Sequence, residues 1–234
     1  MRSPFAPRPG PAAKYRRWAA AGALLLVAAF AAQAQDAQTC GTLANNYGPF
    51  DYRTAHPQQK NIVESVHFTP PIENLTKGGR DNPFGDDLAY TLRVFPNHHR
   101  ALISLQRLAD REKTDSPSNA RLSVACYFER AIRFTPNDQI VRMLFAGYLI
   151  KKANIPEATR QLDEAIRLAG DNPFTHFNVG LVFLDMKNYD RALVQAHRAA
   201  ELGLPRTELK ERLAAVGKWV EPKTAPVAAE AAKP

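Results

Sequence analysis

Two consecutive stretches decide the fold: DQIVRMLFAGYLIKKANIPEATRQLDEAIRLAG (residues 138–170) and NPFTHFNVGLVFLDMKNYDRALVQAHRAAELGL (residues 172–204). Written one above the other, with residue 138 over residue 172, they show an internal repeat. Four pairs of small or turn residues fall in register, namely Ala146 with Gly180, Asn154 with Asn188, Ala158 with Ala192 and Ala165 with Ala199. The second half recurs once more upstream at the same interval, where Ala131 corresponds to Ala165.

The residue types in this repeat predict pairs of helices joined by short turns. Small side chains at 146, 158, 180 and 192 allow two helix axes to approach closely, because larger side chains would hold them apart. Asn154 and Asn188 fall in the turn within each pair, where asparagine tolerates unusual backbone angles. Pro136 and Pro205 mark the reversals between pairs, since proline cannot continue a helix. We therefore expect an all-α fold.

The segment 172–204 resembles a tetratricopeptide repeat (TPR). The residues that match the family pattern are Asn178, Gly180, Asn188, Tyr189, Asp190, Ala192 and Ala199. The segment 138–170 is a second copy, in which Arg142 replaces the family's usual aromatic residue, and a third unit covers about 96–135. The resemblance implies an α-solenoid of helix-turn-helix repeats over residues 86–219.

The third unit and the flanks differ from the repeat. Its helices are predicted at about 97–113 and 119–134, with a longer loop between them. Residues 205–219 predict the capping helix that repeat arrays need. Residues 86–95 predict the second helix of a repeat unit whose first helix is missing. The N-terminal extension over 35–85 is predicted to be irregular, with a short helix near 71–77, and the Ala/Pro-rich tail over 220–234 is predicted to be disordered.

Residues 1–34 have the features of a secretory signal peptide. Five basic residues precede an apolar run over 18–32, and the small residues Ala32 and Ala34 suit a signal peptidase. We expect cleavage there, a periplasmic or secreted mature protein, and no membrane span after cleavage. The alternative is an uncleaved anchor, although the run is shorter and richer in alanine than a spanning helix requires.

Removing the leader also changes the charge. The chain has 31 basic and 23 acidic residues, and five of the basic ones lie in the leader, which leaves 26 minus 23, or +3. The remaining charges are interspersed, whereas nucleic-acid binders cluster basic residues on one face. We therefore expect no nucleic-acid partner.

Cys40 and Cys126 are the chain's two cysteines. In an oxidising compartment an even count favours a disulfide, which would close a long loop and contribute roughly 4 kcal/mol in the chain-entropy model. Cys126 falls on the side of its helix away from the packed face, so the N-terminal segment that carries Cys40 is the expected cover. Two unrelated buried thiols are the alternative.

Motifs for catalysis or for metal and cofactor binding do not occur in the sequence. The six histidines show no metal-ligand spacing, and adjacent His98 and His99 would point in different directions on a helix. Asp81, Asp86 and Asp87 lack the alternating ligands of a calcium loop. Nucleophile elbows and phosphate loops are absent as well. We predict a non-catalytic protein without metal or cofactor.

The TPR resemblance implies a binding groove lined by the first helix of each unit. The groove residues that it implies are Ile140, Met143, Gly147, Ile150, Lys151, Phe174, Phe177, Asn178, Leu181, Leu184 and Asp185. Several could instead belong to the core or lie under the capping helix. Only Asn178 matches the family's carboxylate-binding residues, so an apolar helical or extended segment is the expected ligand.

Three further stretches, 47–52, 67–70 and 95–99, resemble exported proteobacterial TPR proteins of unassigned role. The expected function is a periplasmic scaffold that binds a protein or peptide partner in cell-envelope assembly. One alternative is an accessory protein that binds a glycan or small ligand through Tyr47, Phe50 and Tyr52. The other is a structural module that self-associates.

Overall fold

The computed structural model describes residues 40–78 and 83–222. The chain divides into two compact units, residues 1–44 and 45–234. The described part of the first unit, residues 40–44, contains no helix. In the second unit every regular element of the described residues is a helix. The prediction of an all-α fold is therefore confirmed.

Ten helices lie in the described part of the second unit. They are α1 (Pro57–His67), α2 (Pro70–Glu73), α3 (Phe84–Val94), α4 (His99–Glu112), α5 (Val124–Phe134), α6 (Gln139–Lys151), α7 (Ile155–Ala169), α8 (Pro173–Asp185), α9 (Tyr189–Glu201) and α10 (Glu208–Ala215). Among the described residues, no helix has both the length and the apolar character needed to cross a bilayer. The predicted leader (1–34) and most of the predicted tail (223–234) lie outside the described residues.

Helices α6 and α7 form one closely packed pair, and α8 and α9 form the next. Asp138 caps α6 and Asn172 caps α8, each through a side-chain oxygen that accepts two backbone N–H groups of the first turn. Asn154 and Asn188 cap α7 and α9 in the same way, each with one N–H. The helix starts therefore recur at the interval of the sequence repeat.

The unusual backbone angle in each turn lies one residue earlier than expected. Ala153 has φ 58° and Lys187 has φ 59°, and these two positions are also in register. The asparagines that follow them have negative φ. Asn154 and Asn188 are thus suited to these turns as caps, because their side chains accept the N–H groups that a helix start leaves unpaired.

The small residues lie where the helices cross, as the sequence predicts. Ala146, Ala158 and Ala192 have no exposed surface. Gly180 is buried where α8, α9 and α10 meet: a Cβ there would collide with the side chain of Leu209 and lie 3.2 Å from the Cβ of Gln195. Three helices can approach this closely only because residue 180 has no side chain.

A buried polar contact repeats together with the helices. Arg142 donates one hydrogen bond to Oε1 of Gln161 at 3.0 Å and others to the carbonyl of Pro136 at 2.8 and 3.1 Å. In the next pair, the ring nitrogens of His176 lie 2.8 Å from Oε1 of Gln195 and 2.9 Å from the carbonyl of Gly170. Each long polar side chain thus joins its first helix to the second helix and to the preceding turn.

Helix α5 starts later than the repeat predicts. The predicted start is near residue 119, but Asn119 has φ 62°, Arg121 has φ 69°, and the helix begins only after the Ser123 cap. These left-handed conformations cannot continue a right-handed helix. The extra residues form an ordered connection, in which the Tyr127 hydroxyl donates to the carbonyl of Ala120.

The N-terminal extension is more regular than predicted. Helix α1 was not expected; His56 and Gln59 cap its start, and Val63 is its one buried residue. Helix α2 ends at Glu73, so it is shorter than the helix predicted near 71–77. Helix α3 begins at Phe84, close to the predicted lone second helix.

Helix α10 is shorter than the predicted capping helix, because it spans eight residues and ends at Ala215. Its buried residues, Leu209 and Leu213, belong to the main core. Leu209 lies beside Gly180, so α10 packs directly on α8.

Candidate functional site

The first helix of each pair contacts the first helix of the next pair. Helix α4 packs on α6, α6 on α8, and α8 on α10. Near the starts of α6 and α8, Gln139 donates to the hydroxyl of Thr175 at 3.1 Å. The solvent-facing side chains of α6 and α8 therefore form one surface, which we call the first-helix face.

Large apolar side chains are exposed on the first-helix face. Ile140 is 40% exposed and Phe174, its counterpart in the next repeat, is 54% exposed. Met143, Ile150 and Leu181 are half-buried. Gly147 adds an open position, since a Cβ there would meet nothing within 4 Å. These features suit an apolar partner segment.

Two residues expected in the groove are core residues. Phe177 is only 2% exposed and Leu184 only 8%. The guanidinium of Arg206 lies 5.4 Å from the centre of the Phe177 ring and 5.7 Å from that of Phe174. The segment before α10 thus covers Phe177, and the prediction that Phe177 and Leu184 line an open groove was wrong.

Charged residues at the ends of the two helices form ion pairs. Lys151 contacts Asp110 at 2.8 Å, and Asp185 contacts Arg212 at 2.6 Å. All four side chains are well exposed, so each pair adds little to stability. Asn178, which lies between Lys151 and Asp185 in the sequence, is also exposed. A partner can reach these groups, but it competes with the existing ion pairs for Lys151 and Asp185.

The aromatic residues of the N-terminal extension pack against the protein itself. Tyr47, Phe50 and Tyr52 are half-buried around Phe95, and the Phe50 and Tyr52 ring centres lie 6.1 and 5.7 Å from that of Phe95. Tyr52 also stacks on the ring of His98 at 3.9 Å. These rings attach the extension to α3 and α4, which leaves less of their surface for a ligand.

A buried polar network joins the same extension to the starts of α4 and α6. Asn97 accepts the backbone N–H of Tyr52 at 2.9 Å, and its amide donates to Asp51 at 2.7 Å and to Asp138 at 2.9 Å. Asn97 has no exposed surface, and Asp138 is 1% exposed. The Phe68 and His98 ring centres lie 4.5 Å apart, so the three stretches 47–52, 67–70 and 95–99 are close in space. The sequence resemblance singled them out without indicating this shared structural role.

His98 and Glu64 are the centre of a second part of this network. The Nδ1 atom of His98 accepts the N–H of Ala101, so Nε2 carries the proton and donates to Glu64 at 3.0 Å. The Tyr52 hydroxyl donates to the same carboxylate oxygen at 2.7 Å. His98 has no exposed surface, so its ring is enclosed by these contacts.

The network lowers the pKa of its acids. The hydrogen bond from His98 holds the pKa of Glu64 at about 2, below its ordinary 4.5, and the Tyr52 hydroxyl acts in the same direction. The side chain of Arg53 holds the pKa of Asp51 at about 2. Burial lowers the pKa of His98, because the interior disfavours the charged ring. The acids are thus ionised and His98 is neutral at pH 7.

Neither Cys40 nor Cys126 is free: both are bonded in a disulfide. The pairing that the sequence predicts is confirmed. A disulfide is compatible with export, because such bonds persist in oxidising compartments.

A search of protein-family models finds none that matches the chain, and no curated protein matches it significantly.

Proposed function

We propose that this protein is an exported, non-catalytic scaffold built from TPR-type repeats, and that its first-helix face binds a protein or peptide of the cell envelope. The observation that carries the proposal is the pair Ile140 and Phe174. They are large apolar residues, exposed at equivalent positions of neighbouring first helices. Such a pair offers two contacts to one apolar helical or extended segment.

The repeated contacts support the assignment to TPR-type repeats. Caps, left-handed turn residues, crossing alanines and the Arg142–Gln161 and His176–Gln195 contacts all recur at the interval that separates Ala158 from Ala192. A TPR unit is about 34 residues long, which matches this interval. Repeats of this kind present first helices side by side as an extended binding surface.

Two features support export. Residues 1–34 have the charge and apolar pattern of a signal peptide. The Cys40–Cys126 disulfide would persist in the periplasm but rarely in the cytosol. N-terminal sequencing of protein from the periplasmic fraction should give a chain that begins at Gln35. Recovery of the full-length chain from the membrane fraction would instead identify an uncleaved anchor.

Crosslinking in intact cells tests the binding surface. Tagged wild-type protein is compared with the double variant Ile140→Asp/Phe174→Asp and with a control, Val194→Asp. Val194 is 61% exposed on α9, so the control makes the same apolar-to-acidic change on a second helix. We expect a specific envelope protein with the wild type and the control, and its loss with the double variant.

Other outcomes identify the alternatives. Recovery of the same partner with all three proteins would exclude the first-helix face as its binding site. Adducts that contain only this chain would favour a self-associating module. If Tyr47→Ala or Phe50→Ala abolished binding of a glycan while the first-helix variants did not, the ligand-binding alternative would be preferred.

A further inference from the structure

A cavity of about 290 Å³ lies at the C-terminal end of the helical array. Its wall consists mainly of apolar groups from three parts of the chain: Phe177 of α8, alanines of α9, and the residues before and within α10. Trp219, Glu221 and Pro222, from the segment after α10, line it as well. Ile140 and Phe174 of the first-helix face do not line the cavity, although the Phe174 ring adjoins the lining residue Arg206.

The segment after α10 is held in place over this cavity. The carbonyl of Val220 accepts a hydrogen bond from Nε2 of His197 at 2.8 Å, and the rings of His197 and Trp219 meet edge to face at 5.0 Å. Lys210 forms an ion pair with Glu221 at 2.9 Å and lies 4.9 Å from the centre of the Trp219 ring. These contacts come from both α9 and α10, so the Trp219 side of the cavity is ordered.

The charges at the cavity are unequal. Lys210 is paired with Glu221, which leaves Arg206 as the lining cation without a carboxylate partner in the described part of the chain. The contacts of the Arg206 guanidinium are the faces of the Phe174 and Phe177 rings. The edges of a guanidinium stacked in this way remain able to donate hydrogen bonds to an anion.

From this geometry we propose that the cavity binds a small amphiphilic carboxylate, with its apolar chain against Phe177 and Trp219 and its carboxylate on Arg206. At about 30 Å³ per water-sized group, a volume of about 290 Å³ holds about ten non-hydrogen atoms. A medium-chain carboxylic acid such as octanoate has this size. The apolar walls favour its chain, and the unpaired cation favours its charge.

Tryptophan fluorescence gives a direct readout. The chain has two tryptophans, Trp18 in the predicted leader and Trp219 in the cavity wall. In the full chain with Trp18→Phe, all tryptophan emission comes from Trp219. We expect octanoate to change this emission with saturation and a dissociation constant of about 1 mM or tighter, as suits a ligand of this size.

Two variants and one control assign the site. Ala200 is an exposed residue at the cavity, so Ala200→Phe should fill the space without disturbing the core and should weaken binding at least about tenfold. Arg206→Gln should weaken octanoate binding about fivefold or more, but should leave the binding of neutral octanol unchanged. Arg107→Gln makes the same charge change at an exposed residue of α4 and should have no effect.

The same titrations can overturn the proposal. An emission that does not change, or binding that Ala200→Phe leaves intact, would show that the cavity is not the site. Equal affinity for octanol and octanoate would remove the role of Arg206. If an acetylated tetrapeptide with a free C-terminal leucine bound more than about tenfold tighter than octanoate, the ligand would be a peptide terminus instead. Circular dichroism of each variant verifies that the helices are intact.

Discussion

The guanidinium of Arg142 donates a hydrogen bond to the side chain of Gln161 in the interior of one helix pair, and both residues are buried. The same contact joins His176 to Gln195 in the next pair. In each pair a polar side chain thus spans the gap between the two helices. Arg142 also donates to the carbonyl of Pro136, and Nε2 of His176 lies 2.9 Å from the carbonyl of Gly170, so each side chain also contacts the preceding turn.

Loss of the Arg142–Gln161 contact should destabilise the protein. Gln161→Ala leaves one donor of a buried guanidinium unpaired, which typically costs about 1–3 kcal/mol. Urea unfolding followed by circular dichroism measures the change. In the double variant Arg142→Met/Gln161→Leu both polar groups are replaced. We therefore expect it to lose less stability than the sum of the losses in the single variants Arg142→Met and Gln161→Leu. Additive losses would contradict a direct interaction.

Gly147 of α6 and Gly180 of α8 should respond in opposite directions to substitution. Gly147 has open space around its Cβ position, so Gly147→Ala should stabilise the protein by up to about 1 kcal/mol through helix propensity. Gly180 faces Leu209 and Gln195, so Gly180→Leu should destabilise by about 2 kcal/mol or more and separate α10 from α8. Gly147→Leu is the size-matched control. An equal response of the two positions in urea unfolding would mean that α10 does not pack on Gly180.

Stability should fall in acid. The pKa of Glu64 is about 2 in the folded protein against 4.5 ordinarily, so its ionised form stabilises the fold above pH 4.5 and this contribution is lost as pH falls towards 2. His98 acts in the same direction from about pH 6.5 downward, because the unfolded chain binds a proton more readily than the buried ring. Urea midpoints between pH 3 and 7 measure the slope.

Glu64→Gln tests the source of that slope. Glutamine keeps an oxygen that can accept from Tyr52 and His98 but does not titrate. The variant should therefore lose the share of the pH dependence below pH 4.5 that is due to Glu64, and keep the shares due to Asp51 and His98. If its midpoints ran parallel to those of the wild type through this range, Glu64 would not be the group responsible.

The disulfide predicts a specific mass. Without reductant, the intact protein should be lighter by two hydrogen atoms than the fully reduced chain, because both cysteines are bonded. The double variant Cys40→Ser/Cys126→Ser should lose about 4 kcal/mol of stability if loop closure follows the chain-entropy model. Two thiols that react with a maleimide in the folded, unreduced protein would contradict the bond.

The sequence predicted the repeated core better than its surroundings. Ala158 and Ala192 could be placed correctly because each close helix crossing excludes larger side chains, and this constraint recurs at every repeat. Helix α1 was not predicted because Val63 is its one buried residue, so it has no apolar period to detect. Its start is also capped by a histidine, which is not among the common capping residues.

The candidate site shows the same limit. Phe174 and Phe177 are both aromatic residues of α8, yet one is exposed and the other buried. Arg206 contacts both rings, so the difference arises because Phe177 packs into the main core and Phe174 does not, and no local pattern in α8 encodes that packing. Asn97 donates hydrogen bonds to Asp51 and Asp138, which are both far from it in the chain. Local sequence patterns therefore could not predict the network that attaches the N-terminal extension.

Site-specific photo-crosslinking tests whether a partner binds the first-helix face. A benzophenone amino acid is placed at Ile140, at Phe174 or, as the control, at Val194, and cells are irradiated before the tagged protein is purified. We expect one envelope protein crosslinked from both positions 140 and 174 and none from 194. Adducts from 194 alone, or no adduct from either first-helix position in cells that contain the folded protein, would show that the first-helix face does not bind the partner.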